Sequence, residues 1–185
     1  MPDISRLRRL YLHWLSRPRT DRVIYRAACW QRAQKILDIG MGSGRRALRM
    51  IEAAAEHRVA SEIRYTGVDL FESRDPAAAP GLGLKEAYQR LKATGVRVQL
   101  VPGDPCAALA GIANTLAKVD LLVVSAVVDQ AAMARAWFYV PRILHAESQI
   151  FLEELRFGGK SAFRQISVDE VTWLASKSQA VRRAA

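Results

Sequence analysis

The sequence predicts a doubly wound α/β fold, in which helices cover both faces of a mostly parallel sheet. From residue 35 onward, short apolar segments typical of buried strands alternate with longer amphipathic segments typical of helices. The glycine-rich turn 40–44 joins the first of these strands to the first of these helices. Because parallel strands need a crossover, and a helix is the usual one, this alternation predicts a parallel sheet.

Two helices are predicted ahead of the first strand. Residues 4–16 carry apolar side chains at helical spacing with arginines between them. Pro18 ends this helix, because a proline disfavours the helical conformation in the residue before it. A second helix begins near Thr20, a favourable N-cap, and reaches Trp30. We expect the apolar stripe of the first helix to pack on the domain, although a basic amphipathic helix also suits an anionic membrane surface.

Five strands and the helices between them make up the rest of the predicted sheet. The segment 119–125 is the most apolar and is therefore predicted at the sheet centre. The predicted strands are 35–39, 63–69, 96–101, 119–125 and 148–155. The predicted helices are 43–57, 84–94, a segment from residue 105 onward, and 129–145, with a loop over 71–83.

The C-terminal end is predicted to be short. Residues 162–166 offer one further strand, and the pattern from Ser167 to Glu170 is a capping box that opens a last helix ending near Lys177. Residues 182–185 are predicted to fray. The 185 residues suit one domain with an N-terminal helical cap (1–34), an α/β core (35–155) and a C-terminal helix and tail (156–185).

The composition and the spacing of cysteines and histidines indicate the cellular compartment and argue against a disulfide and a metal site. No apolar run approaches the about 20 residues that a membrane helix needs, and the N-terminus lacks the apolar centre of a secretory signal. Cys29 and Cys106 have no second Cys or His at metal-ligand spacing, and His13, His57 and His145 are scattered. We therefore expect a cytoplasmic protein with no membrane partner, no disulfide and no metal.

The turn 40–44 is the candidate ligand site. Glycine lets the backbone turn sharply and lets a ligand approach closely, and the amides at a helix start favour polar or negatively charged groups. A dinucleotide fingerprint would need its third glycine where Arg45 stands, so an NAD-dependent enzyme ranks last. The sequence instead has Asp-x-Gly-x-Gly-x-Gly from Asp38 to Gly44.

This motif resembles the first motif of the class I S-adenosylmethionine (SAM)-dependent methyltransferases, which have a Rossmann-like fold. The resemblance implies a nucleotide-binding core in which Asp38 and the turn 40–44 hold the methionine end of SAM. It also implies that Asp69, at the end of the second strand, accepts hydrogen bonds from the ribose hydroxyls. The implied cofactor-binding residues are Asp38, Gly40, Met41, Gly42, Ser43, Gly44, Asp69, Leu70, Gly103, Asp104 and Ser125.

The acids of this set each have a structural alternative. Asp38 could cap the turn that follows it, and Asp69 could pair with one of the arginines. Asp104 precedes Pro105 and is therefore also a good N-cap for the next helix. The resemblance implies that Gly103 and Asp104 lie near the adenine amino group and that the strand ending at Ser125 borders the transferred methyl group.

The resemblance weakens where catalysis would occur. Amino-methylating relatives carry an Asp/Asn-Pro-Pro-aromatic tetrad, but this chain has Ser-Ala-Val-Val over 125–128. Metal-dependent catechol-type relatives place an acid where Ser125 stands, so the metal-dependent reaction is not expected either. Asp129 and Glu154 are weak candidates for a catalytic base. The alternatives are a helix N-cap for Asp129 and an exposed strand end for Glu154.

The substrate platform also departs from the family pattern. Full-length relatives add an antiparallel strand pair after the fifth strand, and this chain has residues for only one such strand. The platform is therefore shortened, borrowed from a partner subunit in a homodimer, or replaced by the N-terminal helices. The last arrangement predicts that Tyr11, Trp14 and Tyr25 lie over the cofactor.

The net charge of +10 is concentrated in the first third of the chain. Residues 1–64 hold 14 Lys/Arg and six Asp/Glu, a net charge of +8. Such a surface suits a phosphate-bearing partner, or it merely keeps the protein in solution. Three functions are compatible with the sequence: a SAM-binding protein that methylates a small or phosphate-bearing molecule, a non-catalytic binding or assembly module of the same fold, and a basic nucleic-acid-binding protein.

Overall fold

The computed structural model describes residues 8, 10–75, 81–116, 118–156, 159 and 161–184. The start of the predicted helix 4–16 and residues 76–80 of the predicted loop lie outside the described residues. Within the described residues, the α/β fold class is confirmed. No helix in these ranges combines the length and the apolar character that crossing a membrane requires.

A six-stranded sheet forms the centre of the molecule. Its strands are β1 (Lys35–Ile39), β2 (Arg64–Asp69), β3 (Arg97–Pro102), β4 (Leu121–Val124), β5 (Gln149–Leu155) and β6 (Ser161–Ile166). Their order is β3-β2-β1-β4-β5-β6. The strands β1 to β5 are parallel, and β6 runs antiparallel to β5. The predicted central position of the segment 119–125 is confirmed, and so is the extra strand over 162–166.

Helices cover both faces of this sheet. They are α1 (Arg22–Trp30), α2 (Arg45–Ala54), α3 (Leu84–Lys92), α4 (Pro105–Ile112), α5 (Gln130–Ala136) and α6 (Val168–Ala184). Short 3₁₀ turns lie at Arg19–Asp21, Ala60–Glu62, Phe71–Ser73 and Trp137–Arg142. Neighbouring residues of β1 are buried on opposite faces of the sheet. Ile36 packs in the core under α1, α2 and α3. Leu37 packs in the core under α4, α5 and α6. The doubly wound arrangement follows from this alternation.

Three predicted helix boundaries are wrong. The helix predicted from residue 43 begins at Arg45, because Gly44 adopts a left-handed conformation with φ 71°. The helix predicted over 129–145 is α5 followed by a 3₁₀ turn, and Pro141 within that turn lacks the N–H that an α-helix would use. The last helix extends beyond Lys177, and the segment predicted to fray is helical to Ala184.

The N-terminal helix also buries a different face from the predicted one. Residues Tyr11–Leu15 form a π-helix, in which the N–H of Ser16 donates to the carbonyl of Tyr11 at 2.7 Å. This wider turn shifts the side-chain periodicity away from that of an α-helix. Leu12 and His13 are therefore buried. The predicted apolar stripe is left exposed at Leu10, Tyr11, Trp14 and Leu15.

Candidate functional site

A cavity of about 670 Å³ opens at the carboxyl ends of β1 to β4. It lies where the strand order reverses between β1 and β4, which is where ligands bind in open α/β sheets. Three of the predicted site residues, Asp38, Gly44 and Glu154, are not among its lining residues. The predicted residues that do line it are Gly40, Met41, Gly42, Ser43, Asp69, Leu70, Gly103, Asp104, Ser125 and Asp129.

The chain can turn sharply over residues 40–44 after β1 because glycines occupy the positions with positive φ. Gly40 has φ 84°, and a Cβ there would lie 2.6 Å from Cγ2 of Val128 and 2.9 Å from Cβ of Ser125. Glycine at this position therefore lets the turn pack against the end of β4. Gly42 has φ 60°, and a Cβ there would meet no described atom within 4 Å. The Gly42 side of the turn faces open space in the cavity.

The backbone amides of this turn are divided between the protein and the cavity. The N–H of Gly42 donates to Oδ2 of Asp69 at 2.7 Å. Met41 and Ser43 both line the cavity, and within the described part of the chain their N–H groups have no acceptor. The helix α2 begins directly after the turn, so the positive end of its dipole points the same way. These amides suit a ligand with hydrogen-bond acceptors or negative charge.

Asp69 is buried at the end of β2 and faces the turn. Its Oδ1 accepts from the N–H of Phe71 at 3.3 Å and from the guanidinium of Arg74. The predicted position beside the turn and the alternative pairing with an arginine therefore coexist. A carboxylate offers about four acceptor sites, two on each oxygen. Phe71 and Arg74 already use the two sites of Oδ1, so a ligand hydroxyl that reaches this atom would compete with Arg74.

Asp104 caps α4 and keeps part of its carboxylate for a ligand. The Oδ1 atom accepts from the N–H groups of both Cys106 and Ala107, at 2.9 and 3.2 Å. The Oδ2 atom has no hydrogen-bond partner in the described residues. The preceding Gly103 donates its N–H to the carbonyl of Asp69 at 2.9 Å, which fixes the end of β3 beside the end of β2. The N-cap role and a ligand role are thus compatible.

Asp38 lies behind the turn and not in the cavity. It is fully buried, and its two oxygens accept from Nη2 of Arg46 at 3.0 Å and from the hydroxyl of Tyr65 at 2.9 Å. Burial, reinforced by the negative charge of Asp38, holds the pKa of Tyr65 well above its ordinary value, so this hydroxyl remains a donor. The role of Asp38 is therefore to orient Arg46, which does line the cavity.

Arg46 is a site residue that the sequence analysis missed. Its Nη2 also donates to the carbonyl of Gly40 at 2.9 Å, and its guanidinium stacks over the ring of Phe163 in β6. Its Nη1 lies 3.6 Å from Oε2 of Glu153. The buried Nε atom has no hydrogen-bond partner in the described residues. This atom has no exposed surface, so it is not accessible to a ligand in the cavity.

Glu153 links Arg46 to Ser125 and was also missed. Its Oε2 accepts from Oγ of Ser125 at 2.8 Å and from the N–H of Ala126 at 3.2 Å. Burial alone would raise the pKa of Glu153. The hydrogen bonds from Ser161, Ser125 and Ala126, with the charge of Arg46, outweigh burial and lower it. Glu153 is therefore an anion that fixes Ser125 at the edge of the cavity.

Asp21 is the third site residue that the sequence does not predict, and it places a titratable carboxyl group in the wall of the cavity. It is 8% exposed and accepts a hydrogen bond from the hydroxyl of Tyr25 at 3.1 Å. Burial raises the pKa of Asp21, although the charge of Arg46 opposes the shift. The prediction that Tyr11, Trp14 and Tyr25 lie over the cavity is wrong. The N-terminal segment lines it through Pro18 and Asp21 instead, because the π-helix turns Tyr11 and Trp14 toward solvent.

The two predicted base candidates are both occupied by structural contacts. Asp129 lines the cavity, but its oxygens cap α5 by accepting from the N–H groups of Ala131 and Ala132 at 3.0 and 3.2 Å. Glu154 pairs with Arg164 across the β5–β6 ladder at 2.7 Å and is away from the cavity lining. Asp129 thus has the N-cap role given as its alternative and still lines the cavity, whereas Glu154 does not line it.

Solved structures resemble this fold over most of the chain. The O-methyltransferase TomG from Streptomyces achromogenes, solved with SAM, is 18% identical over 80% of this chain and 60% of its own, with a TM-score of 0.55. An O-methyltransferase from Bacillus cereus, solved with SAH, is 16% identical over 80% of this chain and 60% of its own, with a TM-score of 0.57. A putative O-methyltransferase from Klebsiella pneumoniae is 16% identical over 94% of this chain and 71% of its own, with a TM-score of 0.57.

These likenesses define the fold class. The chain has the Rossmann-like fold of the class I SAM-dependent methyltransferases, as the motif from Asp38 to Gly44 predicts. It spans about 60% of the length of the first and second of these structures. No protein-family model and no curated protein sequence matches the chain.

Proposed function

We propose that the protein binds SAM in the cavity at the switch point and transfers a methyl group to a small acceptor. The observation that carries the proposal is the contact between Asp69 and the N–H of Gly42 at 2.7 Å. Through it, a carboxylate suited to ribose hydroxyls and a turn suited to an amino-acid end line one cavity. The fold similarity to structures solved with SAM and SAH supports the same ligand.

The residues around the cavity fit the separate parts of such a ligand. Asp69 would accept from the ribose hydroxyls, and the available Oδ2 of Asp104 would accept from the adenine amino group. The amides of Met41 and Ser43 would donate to the carboxylate of the methionine end, and the positive charge of Arg46 in the cavity wall would favour it. A cavity of about 670 Å³ is of the size that binds nucleotide-sized ligands.

Asp21 is the proposed general base. SAM, when bound, supplies an electrophilic methyl group whose carbon–sulfur bond breaks as the acceptor's lone pair forms the new bond. The acceptor oxygen or nitrogen must then lose its proton, and Asp21 is a buried carboxylate on the cavity wall that can receive it. Its raised pKa makes it a better proton acceptor than an ordinary aspartate. Most of the acceleration would come from holding the two reactants in line.

One arginine of the cavity suits an anionic group on the acceptor, although the lining as a whole holds five aspartates and three arginines. Arg45, Arg46 and Arg74 all line the cavity. Arg46 pairs with Asp38 and Glu153, and Arg74 pairs with Asp69, whereas Arg45 has no carboxylate partner among the described residues. Arg45 therefore remains available to a phosphate or carboxylate on the acceptor. We propose a small acceptor that carries such a group.

Titration calorimetry with SAM and SAH tests the first step. The proposal expects saturable binding of both ligands and a rise in the melting temperature when either is added. Absence of heat and of a thermal shift at millimolar ligand would overturn it. Transfer of a labelled methyl group from SAM to an anionic small molecule of a cell extract tests the second step. If SAM binds but label enters nothing, the protein is a binding module of this fold and the methyltransferase proposal fails.

A further inference from the structure

Three buried side chains with metal-ligating atoms meet on the α1–α2 face of the sheet, away from the cavity. They are His13 in the π-helix, Cys29 near the end of α1 and Glu56 just after α2. We call these residues the His–Cys–Glu cluster. Its ligand atoms, one from each residue, all lie within 4.8 Å of one another. None of the three residues lines the cavity.

The burial of the cluster is unusual for these residue types. His13 is 7% exposed, Cys29 is 2% exposed and the side chain of Glu56 is fully buried. Acidic side chains are rarely buried in this way unless they are paired or coordinate a metal. Two contacts define the cluster: Sγ of Cys29 lies 3.3 Å from Oε2 of Glu56, and Nε2 of His13 lies 3.5 Å from Oε1 of Glu56.

Each of these distances is close to the edge of a tetrahedral metal site, although they run to different oxygens of Glu56, so the ligand atoms would move closer together around an ion. Zinc binds sulfur at about 2.3 Å and nitrogen or oxygen at about 2.0–2.2 Å, so neighbouring ligand atoms lie about 3.3–3.6 Å apart. An imidazole nitrogen, a thiolate and a carboxylate are three of zinc's usual ligands, and a water can complete the fourth position. A thiolate, a carboxylate and a neutral imidazole also balance the charge of a divalent cation, which removes the cost of a buried net charge.

We propose that the His–Cys–Glu cluster binds a divalent zinc ion that fastens the N-terminal segment to α1 and α2. The three ligands come from three separate segments, so coordination would join elements that the backbone leaves independent. The π-helix supports this assignment, because π-helical turns are rare and occur often at functional sites, and this one brings His13 inward. The sequence predicts no metal ligand, since the three residues have no recognisable spacing along the chain.

The test uses the full chain without an affinity tag, because a histidine tag would itself bind metal. Mass spectrometry for metals should find close to one zinc per chain, and removal by a chelator should lower the melting temperature. Cobalt added to the stripped protein should give the visible bands of tetrahedral Co²⁺ and the near-ultraviolet band of a cobalt–thiolate bond. Zinc far below one per chain, together with no thiolate band from cobalt, would overturn the proposal.

Matched variants locate the site. Cys29→Ser should remove the thiolate band, and both Cys29→Ser and His13→Gln should weaken zinc binding by more than about 100-fold, since even loss of a group that only supports a ligand costs about 10–100-fold. Cys106→Ser and His57→Gln change the other cysteine and an exposed histidine and should leave the band and the affinity unchanged. A thiolate band that persists in Cys29→Ser and disappears in Cys106→Ser would overturn the assignment. Should Cys29→Ser fail to fold, the cobalt spectrum of the unmutated protein still decides.

Discussion

The carboxylate of Asp38 accepts a hydrogen bond from Nη2 of Arg46 at 3.0 Å, behind the glycine turn. The acid of the sequence motif thus acts on the cavity through an arginine in the first turn of α2. Tyr65 completes the support by donating to the other carboxylate oxygen. Asp38 therefore positions a cation, whereas residues 40–43 of the motif line the cavity themselves.

Arg46→Gln should weaken SAM binding and also destabilise the fold. The variant leaves Asp38 buried without its cation, and breaking a buried ion pair costs about 3–5 kcal/mol. The double variant Asp38→Asn/Arg46→Gln removes both charges and should recover much of the stability while still binding SAM weakly. Urea unfolding and calorimetry on the same three proteins separate the two effects. Full affinity in the folded double variant would show that Arg46 does not touch the ligand.

Arg74→Ala should tighten SAM binding several-fold. Arg74 donates to Oδ1 of Asp69, so removing the guanidinium frees an acceptor site on this carboxylate for a ribose hydroxyl. Calorimetry with SAH measures the change. Lys85→Ala, which changes an exposed cation in α3, is the control and should bind as the unmutated protein does. Weaker binding in Arg74→Ala would mean that Arg74 contacts the ligand instead of competing with it.

Gly40→Ala should lower the free energy of unfolding by about 1–3 kcal/mol. The new Cβ would lie 2.6 Å from Val128 in a conformation with φ 84°, so both contact and backbone are strained. Gly111→Ala in α4 is the control, because a Cβ there meets nothing within 4 Å and alanine favours a helix. Urea unfolding should show this control equal to or more stable than the unmutated chain. Equal stability of Gly40→Ala would contradict the packing described at the end of β4.

Asp21 and Glu153 should change stability with pH in opposite directions. The folded-state pKa of Asp21 is raised above the ordinary value of 3.8, so its protonated form favours folding and its contribution is lost as the pH rises from 3.8 through the folded-state pKa. The pKa of Glu153 is lowered from 4.5, so its contribution is present above 4.5 and is lost as the pH falls through the folded-state pKa. Urea unfolding across this pH range should show that Asp21→Asn removes the first dependence and Glu153→Gln the second. Dependences of the same sign would contradict the environments described for both carboxyls.

The sequence predicts the parts of this protein that depend on local pattern. The strand 35–39 and the turn 40–44 follow from apolar runs and glycines that are adjacent in the chain, and both are found as predicted. The N-cap roles of Asp104 and Asp129 follow from helix-capping preferences and are confirmed. Two of the wrong helix boundaries, at Gly44 and Pro141, have a signal in the sequence that the apolar pattern overrode. The face that the N-terminal helix buries has no such signal, because it depends on the π-helix at Tyr11–Leu15.

The site residues that the sequence does not predict are positioned by contacts between segments that are distant in the chain. Glu153 meets Ser125 across 28 residues, and Asp21 reaches the cavity only because the N-terminal segment crosses its mouth. Arg46 has no signal of its own in the sequence, since its direction depends on the buried Asp38. Cys29 and Glu56 are 27 residues apart and share no motif. Such convergence is a property of the tertiary fold and cannot be inferred from spacing in one sequence.

The most direct test of the account is calorimetry with SAH on Asp69→Asn and on the control Glu154→Gln. A hydrogen bond to a charged group is worth about 1.5–3 kcal/mol, so Asp69→Asn should bind SAH about 10–150-fold more weakly than the unmutated protein. Glu154→Gln, which changes a carboxylate away from the cavity lining, should bind SAH with unchanged affinity. Equal affinity of folded Asp69→Asn and the unmutated chain for SAH would contradict the assignment of this cavity as a SAM site.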